Sequence, residues 1–259
     1  MDTELTDHRP APARPWLAVA GLALVVACLV PPLSALARRY LFVESIQFCV
    51  FALAAPALVA LGIAHRLAGT RRRWTSFVAT LSYLVAWVVL CLLWRLPSVL
   101  DALARHPVLV LPEALTLGAA GLGLWLQLVP APVPAPVPAA VAAQPPAAWR
   151  PRPERALVAA LAMWSLWAIA YVLGFAHVSV VHAYDQAGSH LGTVADQEIT
   201  AFLLWAAAGA AFTPVVFTVL LSWLRDSSEP AGEAAGRTPG RGVRGWGPPA
   251  RDRRRTPAR

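Results

Sequence analysis

Lysine is absent from these 259 residues, so all 22 basic side chains are arginines. Cysteine is scarce as well: Cys28, Cys49 and Cys91 stand singly in apolar stretches, with no CxxC or CxC pair. This spacing excludes a disulfide framework and a thiol-based metal carrier, and leaves three small packing residues. Methionine occurs only at Met1 and Met163, which excludes a methionine-lined copper path. There is no glycine-rich phosphate loop, no nucleophile elbow and no carboxylate pair that stands clear of helix ends, so the signatures of a soluble enzyme are missing. No internal repeat is found. Charge is sparse, at 14% of residues, and six long apolar spans carry almost none of it.

Those spans set the class. With 58% hydrophobic residues and a mean hydropathy of +0.55, the chain is too apolar for a soluble domain, and a run of about 20 apolar residues crosses a bilayer. The expected fold is all-α, a polytopic integral membrane bundle of about six transmembrane helices. They are expected at Trp16 to Ala37, Leu41 to Ala64, Ser76 to Leu96, Pro107 to Val129, Arg155 to Ala176 and Glu198 to Leu224. Helices satisfy their own backbone polar groups, as lipid requires. Pro56 predicts a kink in the second helix. Gly118, Gly121 and Gly123, with Ala119 and Ala120, predict close packing of the fourth.

Arginine placement sets the orientation. Arg66, Arg71, Arg72 and Arg73 follow the second span, Arg150, Arg152 and Arg155 follow the fourth, and nine more follow the sixth. The connection from Ala176 to Glu198 has none, and the first and third connections hold only Arg38 with Arg39 and Arg95 with Arg105. Both termini are therefore expected in the cytoplasm. The positive-inside bias also accounts for most of the net charge of +8, so nucleic acid is not an expected partner. An amino-terminal tail over 1–15, a transmembrane domain over 16–224 and a basic, disordered tail over 225–259 are expected. The cytoplasmic connection over 130–153, with PAPVPAPVP at Pro130 to Pro138, reads as an extended strut. Arg9 and Arg14, an apolar run and Ser34-Ala35-Leu36-Ala37 also fit a cleavable signal peptide. The length of the run and the acidic Asp2, Glu4 and Asp7 favour a retained helix.

With the outer face so defined, Glu44 lies in the first turn of the second helix and Arg95 in the last turn of the third. Glu113 lies six residues beyond Pro107, about 9 Å along the fourth helix. Asp196 and Gln197 stand at the mouth of the sixth. Ionisable groups bordering lipid are costly, so a shared polar outer-face site of Glu44, Arg95, Glu113, Asp196 and Gln197 is expected, with Arg95 paired to Glu44 or Glu113. The competing reading is structural: interfacial anchors for Glu44 and Arg95 and an N-cap of the sixth helix for Asp196. His106 lies in the third connection and His177, His182 and His190 in the fifth, with Asp185 and Gln186. Imidazole and carboxylate suit copper or zinc, yet the spacings match no compact ligand motif. Solvated loop histidines and a weak metal site at His177, His182, His190 and Asp185 both stay open.

Four segments then carry a resemblance. Glu44-Ser45-Ile46-Gln47-Phe48 with Ala54-Ala55-Pro56-Ala57-Leu58 and Leu61-Gly62 comes first, followed by Trp94-Arg95-Leu96-Pro97 with Asp101-Ala102-Leu103. Pro107 to Trp125, containing Glu113, is third, and Ala195-Asp196-Gln197-Glu198 with Trp205 is fourth. In order, over roughly residues 40 to 225, they resemble the conserved segments of the CtaG-type cytochrome c oxidase assembly factors. Where that family places histidines, this chain has Phe48, Arg95, Leu111 or a neighbour, and Ala114. The resemblance implies an assembly factor, not an enzyme, in a bacterial plasma membrane. It would work with oxidase subunits at the outer face on maturation of the copper-containing oxidase, here as a histidine-depleted scaffold. Two alternatives are a copper or small-solute transporter, for which the polar cluster lies too far outward, and a structural membrane partner without a chemical site.

Overall fold

The computed structural model describes residues 14–64, 66–67, 77–129, 153–176, 181–184 and 192–228. All regular structure among them is helical. Helix α1 spans Pro15–Leu29, and a short α2 follows over Leu33–Ala37. Helix α3 runs over Leu41–Ile63 and α4 over Phe77–Trp94. An amphipathic α5 occupies Pro97–Arg105. Helix α6, Val110–Leu128, is preceded by a 3-10 turn at Pro107–Leu109. Helix α7 spans Pro153–Phe175, a 3-10 turn lies at His182–Tyr184, and α8 spans Thr193–Ser228. After Trp223 the chain divides, and of the second unit, Leu224–Arg259, only the first five residues are described.

Five helices, α3, α4, α6, α7 and α8, are long and apolar enough to cross a bilayer. Large apolar side chains such as Val78, Val89, Val172 and Phe202 stand exposed on them, as lipid contact requires. The expected continuous first span from Trp16 to Ala37 is corrected. Pro31 forces Val30 into extended backbone, φ −91° and ψ 143°, and α1 ends at Leu29. At 15 residues it is about 22 Å long, short of the roughly 30 Å hydrocarbon core. The third connection, expected as a loop, contains α5, and the sixth span begins at Thr193, not at Glu198.

Small residues and one proline fix the packing. A Cβ on Gly21 would stand 2.8 Å from the Ala55 carbonyl, and one on Gly62 would stand 2.6 Å from the Ala18 nitrogen, so α1 lies directly on the backbone of α3. Within α3, Val50–Ala54 adopts a π-helical turn just before Pro56. Pro56 has no N–H to offer the Ala52 carbonyl four residues back. The indole Nε1 of Trp87 donates to that carbonyl at 3.1 Å. Gly121 of α6 abuts the same turn, where a Cβ would meet the Ala52 carbonyl at 2.7 Å. Gly123 likewise faces the Tyr83 ring, whereas Gly118 borders open space. Phe212 of α8 stacks on Trp125 and meets Trp87 edge-on, closing the core among α4, α6 and α8.

Candidate functional site

Glu44, Arg95, Glu113, Asp196 and Gln197 all lie at one end of the bundle, where α1, α4 and α7 finish and α3, α6 and α8 begin. Helix ends expose backbone donors and acceptors without intrahelical partners, and in lipid these must be met by side chains. Gln47 meets one of them, its Nε2 donating to the Cys28 carbonyl in the last turn of α1 at 2.6 Å. That carbonyl belongs to the shortened helix, so the same residue also anchors α1 to α3.

Three ionisable side chains meet beneath this end. Glu44 sits in the first turn of α3, Arg95 one residue beyond α4 and Glu113 in the first turn of α6, and they are 2%, 6% and 1% exposed. Arg95 Nη1 donates to Glu44 Oε2 at 2.7 Å and to Ser45 Oγ at 2.9 Å. Ser45 Oγ in turn donates to the Leu41 carbonyl at 2.9 Å. The guanidinium carbon lies 4.0 Å from the centre of the Phe48 ring, an aromatic face that suits a cation. The Glu113 carboxyl faces that of Glu44. Four buried polar atoms of the cluster have no hydrogen-bond partner: Glu44 Oε1, Glu113 Oε1, and Nε and Nη2 of Arg95.

Asp196 and Gln197, consecutive in the first turn of α8, do something different. Asp196 Oδ2 accepts from the Leu41 amide and Oδ1 from the Phe42 amide, both at 2.8 Å. The carboxylate thus caps the start of α3, and the expected cap of its own helix is replaced by a cap in trans. Gln197 Nε2 donates to the carbonyls of Leu173 and Ala176 at 2.8 and 3.0 Å, capping the end of α7. Two adjacent side chains therefore bind α8 to both of its neighbours at this end.

A small cap covers the cluster. Leu41, Leu100, Val181 and Tyr184 form a separate apolar group that draws α5 and the His182–Tyr184 turn over the start of α3. Asp101 Oδ1 accepts from the Ala183 amide at 2.8 Å, and the Tyr184 hydroxyl donates to the Ala37 carbonyl at 3.3 Å. Burial and the nearby Glu44 carboxyl push the Tyr184 hydroxyl up, so it remains a donor. Tyr184 is a residue that sequence reasoning passed over, and Ser45 and Gln47 were noticed only as part of the first resembling segment. The alternation of Leu100 and Leu103 with Ser98, Asp101 and Arg105 is the signal that would have revealed α5 and its covering role.

Of the expected metal ligands, His182 is exposed on the cap, while His177, His190 and Asp185 lie outside the described residues. Among the described residues no three His, Cys, Asp or Glu side chains are grouped to hold a metal ion. The buried cluster does not fit copper: it offers two carboxyls and no imidazole, and the Arg95 guanidinium paired with Glu44 repels a second cation.

The sequence profile of the family described as cytochrome c oxidase caa3 assembly factor (Caa3_CtaG) matches residues 3–226. The chain belongs to that family. No curated protein and no solved structure matches it. The match takes in all five long spans, the cap and the polar cluster. Membership makes this a multi-pass membrane protein of oxidase assembly, with the oxidase as its partner.

Proposed function

We propose that this assembly factor works at the outer face of a bacterial plasma membrane, on maturation of the copper-containing oxidase, as a scaffold that holds oxidase subunits and leaves copper chemistry to other groups. The observation that carries the reading is the occupation of Asp196 and Gln197. The carboxylate and the amide best placed for chemistry at the bundle end are bonded to two other segments of the same chain, the start of α3 and the end of α7. A rigid end of this kind suits docking of a partner subunit, and the arginine asymmetry of the connections supports a position at the outer face.

Deletion of the gene tests the role. Oxidase activity and the reduced-minus-oxidised haem spectrum are expected to fall and to return with the wild-type gene, and also with a His182→Ala variant. An unchanged oxidase in the deletion strain overturns the reading. Exposed Ser98 on the cap provides the sidedness test: Ser98→Cys is expected to gain labelling by an impermeant thiol reagent in intact cells. Labelling confined to broken cells places the cap inside.

A further inference from the structure

We propose that Glu44 and Glu113 together bind a single proton beneath Tyr184, so that the Glu44–Arg95–Glu113 cluster is held electrically neutral with one carboxyl protonated. The inference is independent of what the protein assembles. Two carboxyls and one guanidinium share a site in which each side chain is at most 6% exposed. With both carboxyls ionised the site would hold a net negative charge out of contact with water, an arrangement that proteins avoid by neutralising one group.

The hydrogen bonding points the same way. Arg95 gives Nη1 to Glu44 Oε2, and no bond from it to Glu113 is formed. Counted as carboxylates, Glu44 and Glu113 face one another as acceptors only, and each has an oxygen without a partner. A proton on Glu113 turns it into a donor toward Glu44, and Glu44 keeps its charge for Arg95. The pair then resembles two carboxyls sharing one proton, next to a fixed cation that selects which of them stays ionised.

The other groups facing the cluster do not alter the count. Cys49 of α3 and Cys91 of α4 are free cysteines. Tyr184 covers it from the cap as a neutral phenol. The charge of Asp196 is met by the Leu41 and Phe42 amides. Arg95 is the single cation acting on both carboxyls among the described residues.

Infrared spectroscopy of the purified full-length protein at neutral pH, with exchange into deuterium oxide to identify protonated carboxyls, tests the assignment. The wild type is expected to show one carboxylic C=O stretch. Glu113→Gln keeps a donor toward Glu44 and removes the proton, so the band is expected to vanish while the yield of folded protein is unchanged. In Glu44→Gln the remaining carboxyl must neutralise Arg95, and the band is again expected to vanish. Arg95→Gln removes the cation, and the band is expected to grow about twofold as both carboxyls take protons. Absence of the band in the wild type overturns the proposal, and so does a band that survives both glutamate substitutions. If Arg95→Gln does not fold, the two glutamine variants decide the matter alone.

Discussion

Replacement of Asp196 separates a structural carboxylate from a chemical one, and the bonds give the size of the effect. The side chain is 3% exposed and accepts two backbone N–H groups at 2.8 Å. Hydrogen bonds to a charged group contribute about 1.5–3 kcal/mol each, and a negative charge at a helix start adds roughly 0.3–1 kcal/mol. Asp196→Ala leaves both amides of α3 without their acceptor, and a loss of about 3–5 kcal/mol is expected. Asp196→Asn keeps one acceptor oxygen but turns an NH2 group toward the other amide. It therefore loses one bond and the charge, about 2 kcal/mol, which is roughly a 30-fold shift in the folding equilibrium. Reversible unfolding of the purified protein in mixed micelles by increasing SDS measures both, with oxidase activity followed in complemented cells. The expected order is wild type, then Asn, then Ala, with activity following the amount of folded protein. Wild-type stability in Asp196→Ala would refute the cap in trans. Wild-type stability in Asp196→Asn together with lost oxidase maturation would return Asp196 to a chemical role.

Two further expectations follow from buried partners. Reversal of Arg95 to Glu leaves three carboxyls without a cation, and breaking a buried pair in this way costs about 3–5 kcal/mol. Accumulation in the membrane is expected to collapse and to recover in part only when Glu44 is changed to Arg in the same chain; recovery with Glu113→Arg alone would mean that the pair is misassigned. Trp87→Phe removes the donor to the Ala52 carbonyl and is expected to cost about 1–3 kcal/mol by the same unfolding assay. Pro56→Ala restores a backbone N–H to that carbonyl, so the double variant is expected to lose less than the two single losses added together; strict additivity would refute the link.

The class and five of the six expected spans were readable because lipid imposes a length and a composition that few other environments demand. The limits of the reading are local. The Trp16 to Ala37 run is apolar throughout, and hydropathy does not register that two consecutive prolines remove the N–H groups that would continue the helix. Helix α5 was missed for the opposite reason. Its nine residues are too short and too polar for a span, and its buried side chains are only two, Leu100 under Val181 and Tyr184 and Leu103 in the main core. A contact between segments some eighty residues apart leaves no trace in the periodicity of either.

The site illustrates the same limit in sharper form. Depth along each helix follows from counting residues, and depth alone brought Glu44, Arg95 and Glu113 to one level. The role of a polar group at that level depends on what stands opposite it, because at the end of a helix in lipid both a ligand and an unmet backbone amide call for a carboxylate. Asp196 faces two amides of α3, whereas Glu113 faces another acid. The first arrangement is complete as it stands. The second is complete only when a proton joins it, so Glu113, and not Asp196, is where the bundle end calls for a further bound group.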